Sequence, residues 1–434
     1  MTPDSHPDLC PRQPVPGTDR GHIMIITPYY WPTLSASTHL MKTLAEGLRD
    51  DGWQVTVLTN GPGAGVPVGP EDPRLAGRIH RAANPFLRRL GVFAKLCEYM
   101  WFVGFFLLRG LLVRKVDITF VASTPPLAGL PAAMLTRLKG AKLVYNLQDI
   151  FPDSAVVAGM LSAEGLAYRW LKAAEESTYR VSDLVASISP AFSEHVQRLV
   201  PGTPVATIPN WVDTDEIRPM EGREHLEVAA FRQGGAFVVQ YAGNIGFMQN
   251  LEEVVQAAAR LKDDPAIRFV FIGDGNAKQS LLDLSQRLEL TNCSFLPMQP
   301  LDRVPLVYNA CDLGVIPLKA GAGRIAVPSK TWNYLAAGKP VIGCVEADSP
   351  LAVTLRESGA GSVVTPGDPD RLASLIRAYR AAPERGRLEG RQGRSYAETH
   401  LSHRIAIHSY IQMFDQLLGR PAHARAEAHA AITP

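Results

Sequence analysis

Two kinds of apolar patterning alternate along this chain. Short, continuous runs rich in β-branched and aromatic residues begin at Ile23 (Ile-Met-Ile-Ile-Thr) and recur at Trp53–Thr59, Ile118–Ala122, Lys142–Asn146 and Leu184–Ile188. Between them lie longer stretches with helical spacing, such as Ser37–Asp50. Runs of this length read as strands, and strands alternating with helices imply a parallel sheet covered by helices on both faces. After Asn210-Trp211-Val212-Asp213 the chain turns charged and irregular through about Gly235. A second alternating series follows, with strands expected at Phe237–Tyr241, Phe269–Ile272, Ser294–Leu296, Leu313–Pro317, Val341–Cys344 and Ser362–Val364. The pattern predicts an α/β protein of two doubly wound, Rossmann-like domains. No internal sequence repeat relates the halves, so they are expected to share architecture alone.

Length supports this division, because 434 residues with 46% apolar and 20% charged content exceed one ordinary core and suit two of roughly 200 residues. The expected layout is a disordered tail over 1–20, a first Rossmann-like domain over 21–212 and a linker over 213–234. A second Rossmann-like domain over 235–400 follows, then a C-terminal helix over 401–420 returning to the first domain, and a tail over 421–434. Open parallel sheets bind ligands beyond the carboxyl ends of their strands, so two such domains are expected to face each other across a cleft. A net charge of +2 makes no demand for a nucleic-acid partner. The five cysteines, Cys10, Cys97, Cys293, Cys311 and Cys344, are widely spread and form no C-x-x-C pair. That usage fits a reducing compartment. Residues 1–20 lack the apolar core of a signal peptide, and cytoplasmic chemistry is expected.

Chemistry-bearing residues cluster on the loops after the strands. Phe237–Tyr241 runs into Ala242-Gly243-Asn244-Ile245-Gly246, a turn whose glycines let backbone amides approach a ligand. The helix expected from about Leu251 would favour a phosphate at its N-terminus. More specific is the segment from Gly323 to Ile342, which contains Arg324 and Pro328-Ser329-Lys330-Thr331-Trp332-Asn333. Pro328 can open a helix, Ser329 and Lys330 then stand where an anion meets helix amides and a cation, and Asn333 lies one turn on. A well-capped surface helix with a solvated lysine is the plain alternative.

The order PSKTWNYLAAGKPVI, with YAGNIG upstream, FIGDG at Phe271–Gly275 and IPNWVD at Ile208–Asp213, resembles the family 4 retaining glycosyltransferases of the GT-B fold. The likeness covers roughly residues 22–415. It is greatest to bacterial enzymes that build O-antigen, capsule or colanic-acid-type exopolysaccharide, including fucosyl and N-acetylfucosaminyl transferases. The resemblance implies that the loop Gly243, Asn244 and Gly246, together with Gly273, Ser329 and Lys330, holds the donor diphosphate. It further implies that Asn333 lies near the ribose or sugar and that residues around Met298 line the base pocket. Many family members carry Arg and Lys where this chain has Asn244 and Gln249, and two glutamates where it has Ile325 and Asn333. Lys330 and Arg324 are then the cations left to meet the phosphates.

In the first half, Lys142–Asn146 leads into Leu147-Gln148-Asp149, which puts a carboxylate at a strand's carboxyl end. Asp149 could accept the acceptor hydroxyl proton or orient the sugar, or it could simply cap the next helix. The resembled subgroup has an Asp here, and other members have a His where this chain has Gln148. Retention in this family is attributed to a donor phosphate oxygen that assists the acceptor hydroxyl, so no carboxylate nucleophile is required. Tyr30, Trp31 and Ser35 offer aromatic faces and a hydroxyl to an acceptor. Residues 74–115 hold nine Lys or Arg against the single acid Glu98, around the apolar run Met100–Leu108. That run is too short to span a bilayer but suits docking on anionic lipid, with a buried core helix as the alternative.

The sequence thus points to a hexosyltransferase-type enzyme, peripheral on the inner face of the cytoplasmic membrane. It would move a sugar from a nucleoside-diphosphate donor to a polyprenyl-diphosphate-linked saccharide. No cofactor, metal or nucleic acid is expected, and Asp213-Thr214-Asp215 is read as linker rather than as a metal-binding pair. The rivals are a non-hydrolysing nucleotide-sugar epimerase and a non-catalytic nucleotide-sugar-binding scaffold.

Overall fold

The structure, a computed structural model, describes residues 20–33, 38–61, 75, 77–83, 91–220 and 235–421. Both expected tails, Ser35 and most of the expected linker lie outside the described residues. The central apolar runs become strands buried along their length, as parallel strands must be when helices cover both faces. Among the described residues the first sheet contains β1 (His22–Ile26), β2 (Gln54–Asn60), β3 (Ile79–Ala82), β4 (Ile118–Ala122), β5 (Lys142–Leu147), β6 (Leu184–Ser187) and β7 (Val205–Thr207). Its order is β3-β2-β1-β4-β5-β6-β7. Every pair with a defined register is parallel, for example Ile23 opposite Val55 and Ile118.

The second sheet contains β8 (Phe237–Ala242), β9 (Ile267–Ile272), β10 (Cys293–Leu296), β11 (Leu313–Pro317), β12 (Val341–Cys344) and β13 (Gly361–Val364). Its order is β10-β9-β8-β11-β12-β13, with Phe237 opposite Ile267 and Gly314 opposite Val341. Both sheets reverse direction of winding beside their first strand, β1 or β8. Such a reversal opens a crevice at the carboxyl ends of the strands, where ligands of this architecture bind. The loops at those ends begin at Thr27 and at Gly243.

By backbone proximity the chain divides into two compact units. One gathers the strands up to Asn146 with Val181–Leu184 and the chain from Ile411, and the other takes Leu147–Arg180 and Val185–Tyr410. In the first, Phe414 at the end of the helix His403–Leu417 meets Trp53 and Phe120 edge-on, with ring centroids 6.2 Å and 6.0 Å away. In the second, the half-buried Arg394 side chain ties the helix Pro383–His400 to the carbonyls of Thr214, Ile217 and Ala336 at 2.8–2.9 Å. Its core has two faces, one under the helix Lys330–Ala336 and one under Leu251–Ala259.

Candidate active site

Helix Lys330–Ala336 is fixed to the second sheet by Tyr334. Its ring lies against Gly314 of β11, where an added Cβ would come within 2.8 Å of the ring, and its hydroxyl donates to the Gln240 carbonyl of β8 at 3.1 Å. Residues four apart share a helix face, so anchoring Tyr334 aims Lys330 at the carboxyl end of β8. There the ammonium hydrogen-bonds the Tyr241 hydroxyl and lies 4.2 Å from the Tyr241 ring centre. Its stem packs on Gly243, whose φ is +138° and on which a Cβ would meet Lys330 Cε at 3.1 Å and Nζ at 3.3 Å. No carboxylate among the described residues pairs with this lysine. Burial therefore lowers it from the usual 10.5 to about 7. Such a cation gains most from an anion brought into contact with it.

The glycine loop is a layered backbone structure. A Cβ on Gly273 would stand 1.9 Å from the Gly243 carbonyl oxygen, and one on Gly275 would stand 2.2 Å from that of Ile245. Only glycine lets the turns after β8 and β9 stack this closely. The amides of Gly243, Ile245 and Gly246 donate to the Ile272 carbonyl, the Asp274 carbonyl and Gln249 Oε1, at 2.9, 2.8 and 3.1 Å. These three amides are therefore engaged within the protein, against the expectation that the glycine amides cradle a phosphate, and Lys330 brings positive charge to the turn. A second correction concerns the helix Leu251–Ala259. Glu252 and Glu253 occupy its first turn, so carboxylates already complement the end expected to favour a phosphate.

The other expected donor residues are distributed as follows. Asn244 is exposed on the turn and its carbonyl accepts from the Tyr241 hydroxyl at 2.5 Å. Ser329 precedes the helix without capping it. Asn333 hydrogen-bonds the Tyr308 hydroxyl, which burial pushes up to about 12. Met298 is exposed. Arg324 is committed elsewhere, to an exposed ion pair with Asp348 at 3.0 Å. The sequence reading missed Tyr241, the partner of Lys330, which it took only as the end of a strand. It also missed Lys278, whose ammonium donates to the Gly273 carbonyl at 2.8 Å and adds a second cation to this loop cluster.

Asp149 follows β5 and is held by the Ser154 hydroxyl, which donates to Oδ2 at 2.9 Å. Burial raises its carboxyl above the usual carboxylate value, against the opposing effects of Ser154 and the Ile150 amide. It does not act as the cap of the helix Asp153–Val157, whose capping position is Pro152. Gln148 Oε1 accepts from the Asn210 amide at 2.8 Å, which fixes the residue beside Asp149. Tyr30 is buried in the first unit, so its ring is core and not a platform for a sugar. Trp31 is half-buried, and its carbonyl accepts from Arg81 at 2.6 Å. Asp213, Asp215 and His403 bring ligand atoms within 4.8 Å of one another. Asp213 nevertheless accepts from the Asp215 and Glu216 amides, and Asp215 pairs with Arg404 at 2.6 Å, so a side-chain cation already balances the pair.

Two parallel Rossmann-like sheets, each with its loop cluster beside the first strand, define the GT-B class. The comparisons agree. Residues 38–211 match the family model for the glycosyl transferase 4-like domain and residues 223–391 that for glycosyl transferases group 1, so the chain carries glycosyltransferase domains in both halves. It is 29% identical over 287 residues to an Escherichia coli K12 protein that bears the name of a colanic acid biosynthesis glycosyl transferase, WcaI. That match covers 64% of this chain and 69% of the relative. It is 27% identical over 264 residues to a Pseudomonas aeruginosa protein that bears the name glycosyltransferase WbjE, covering 61% of this chain and 66% of the relative. Among solved structures, Anabaena Alr3699/HepE in complex with UDP and glucose has the same fold, with a TM-score of 0.69, 17% identity and coverage of 91% of this chain and 100% of that one.

Proposed function

We propose that this chain is a retaining glycosyltransferase that moves a hexose-type sugar from a nucleoside-diphosphate donor to a lipid-linked saccharide during assembly of a bacterial surface polysaccharide. The observation that carries the reading is the desolvated Lys330, seated on Gly243 and Tyr241 with no carboxylate partner among the described residues. A diphosphate is the ligand chemistry that such a cation favours. In the proposed reaction the acceptor hydroxyl oxygen bonds to the anomeric carbon on the face that the diphosphate leaves. The bond to the diphosphate oxygen breaks, and the hydroxyl proton passes to a phosphate oxygen. Asp149 orients the acceptor hydroxyl, and Lys330 holds the charge that develops on the departing diphosphate.

Relatives named for polysaccharide assembly and a similar fold solved with UDP support a uridine nucleotide as the first donor to try. A lipid-linked acceptor requires contact with a membrane, and the basic segment around the helix Gly91–Leu112 supports peripheral contact with anionic lipid. No cofactor or metal is needed for the step as proposed. Thermal shift against UDP, GDP, CDP, ADP and dTDP tests the donor assignment, because a ligand that binds only the folded state raises its stability. One nucleotide should stabilise the wild type and fail to stabilise Lys330→Ala. Equal shifts in both proteins would remove the assignment, and sugar transfer from the matching nucleotide sugar would complete the test.

A further inference from the structure

The helix Gly91–Leu112 carries a single charge, Arg109, between Tyr99 and Leu112. A helix apolar around most of its circumference is normally covered on every side. Among the described residues the fold buries one stripe of it. Phe102, Phe106 and Gly110, each four apart, are buried, with the two phenyl rings 5.5 Å apart edge-on. The opposite stripe is Trp101, Leu108 and Leu112, which are 46%, 71% and 69% exposed. The apolar run read from the sequence is therefore half core and half surface.

A second helix extends that surface. Gly110 lets Leu135 of Gly129–Lys139 approach so closely that a Cβ would stand 2.5 Å from its methyl group, and Lys139 donates to the Leu111 carbonyl at 2.8 Å. Beside this crossing Met134 is exposed, and Leu138 is 69% exposed. They belong to a shallow apolar groove with Leu130, Ala133, Arg137 and Val181. Arg109, Arg114, Lys115 and Arg137 are exposed around the patch. No acid occurs between Tyr99 and Val116 or between Ile118 and Gln148. The intervening Asp117 turns inward to accept from the His22 amide at 2.7 Å.

We propose that this two-helix edge, with Trp101, Leu108, Leu112, Met134 and Leu138 at its centre and a basic rim, is the surface that seats the protein on an anionic bilayer. The inference deepens the lipid-linked acceptor reading by locating where the membrane is met. Trp101 suits the interface, because its indole N–H is satisfied by the Ala83 carbonyl at 2.6 Å while part of its ring stays exposed. Among the described residues no helix is long and apolar enough to cross a membrane, so these helices lie in the headgroup plane. The charge decides between lipid and a second copy of the chain. Two such faces brought together would set basic rim against basic rim, whereas anionic headgroups complement it.

The test is co-sedimentation of the full chain with phosphatidylcholine vesicles, with and without phosphatidylglycerol. Binding should require phosphatidylglycerol and weaken as salt is raised. Arg114→Ala/Lys115→Ala should lower affinity about 30-fold, and Leu108→Ser/Leu112→Ser at least about tenfold. Unchanged melting temperatures would show that both variants fold. Failure of the wild type to bind phosphatidylglycerol vesicles, unchanged binding by both variants, or a dimer that Leu108→Ser/Leu112→Ser dissociates would overturn the proposal. The nucleotide thermal shift is read separately. Its loss with vesicle binding intact would sink the transferase reading and leave this one standing, and the reverse result would do the opposite.

Discussion

A lysine held near pH 7 makes donor binding a proton-linked event. Burial lowers Lys330 from 10.5 to about 7, so its charge is lost within the range where the enzyme can be assayed. A diphosphate placed against Nζ favours the ammonium, and binding above pH 7 must then draw in a proton. Below pH about 7 the ammonium is already present and the lysine adds no pH dependence. Above it, each pH unit weakens binding by up to tenfold, ~1.4 kcal/mol, until the pH reaches the lysine's value in the complex. The same linkage governs stability with a definite sign. Between about 7 and 10.5 the unfolded chain binds more protons at this site, so its contribution to stability rises with pH across that window, and the full cost of burying the charge falls below it. Calorimetric titration of UDP from about pH 7 to about pH 9, in buffers of different ionisation enthalpy, measures both slope and proton uptake. The terminal phosphate, with its second pKa near 6, has already ionised there. Lys330→Arg, charged at every pH used, should remove the slope. A wild-type affinity independent of pH, or the same slope in Lys330→Arg, would refute the argument.

Four further outcomes follow from contacts described above. Gly273→Ala should lower stability by roughly 2–3 kcal/mol in chemical denaturation, because its Cβ would stand 1.9 Å from the Gly243 carbonyl oxygen. Gly243→Ala should fold with a smaller loss, about 1–2 kcal/mol, yet weaken nucleotide binding in calorimetry, because the new methyl displaces the Lys330 stem. Asp149→Asn should leave donor affinity unchanged and lower kcat about 10²–10⁴-fold in a transfer assay, whereas an equal loss of affinity would assign Asp149 to the donor instead. Phe414→Ala should cost about 3–5 kcal/mol in thermal or chemical unfolding, since its ring fills the space between Trp53 and Phe120.

The strands most plainly legible in the sequence are those the fold buries on both faces, although the partly buried edge strands β10 and β13 of the second sheet are legible as well. β1, β4, β11 and β12 are almost continuous apolar runs because helices cover them above and below, with His22 and Thr119 as the buried polar exceptions. The strands that escaped reading, β3 (Ile79–Ala82) and β7 (Val205–Thr207), are the two edges of the first sheet and are only partly buried. An edge strand has one neighbour and less covering, so its sequence carries Arg81 or Thr207 as readily as valine, and the apolar run that would announce it is missing. The same reasoning explains the helix Gly91–Leu112. A run such as Met100–Leu108 states that water is disfavoured but not which face meets protein, and only the packing separates Phe102 and Phe106 from Trp101 and Leu108.

At the candidate site the sequence located the loops but not the partnerships within them. The sequence singles out Lys330 and, beside it, Arg324, and passes over Lys278, without showing what any of the three meets. The ranking comes from what each side chain meets: Arg324 faces Asp348, Lys278 faces the Gly273 carbonyl, and Lys330 faces only an uncharged phenol and a glycine. A cation held by a carboxylate gains little from a phosphate, because it must first give up a charge of the same sign. A cation desolvated beside a neutral ring gains the whole interaction. Asn333 follows the same logic from the polar side. It stands where a motif glutamate would be, and its amide is bound to the buried Tyr308 hydroxyl. On the proposed reading the charge available to a donor diphosphate lies with Lys330, desolvated beside the Tyr241 ring, and with Lys278, which meets only carbonyl oxygens.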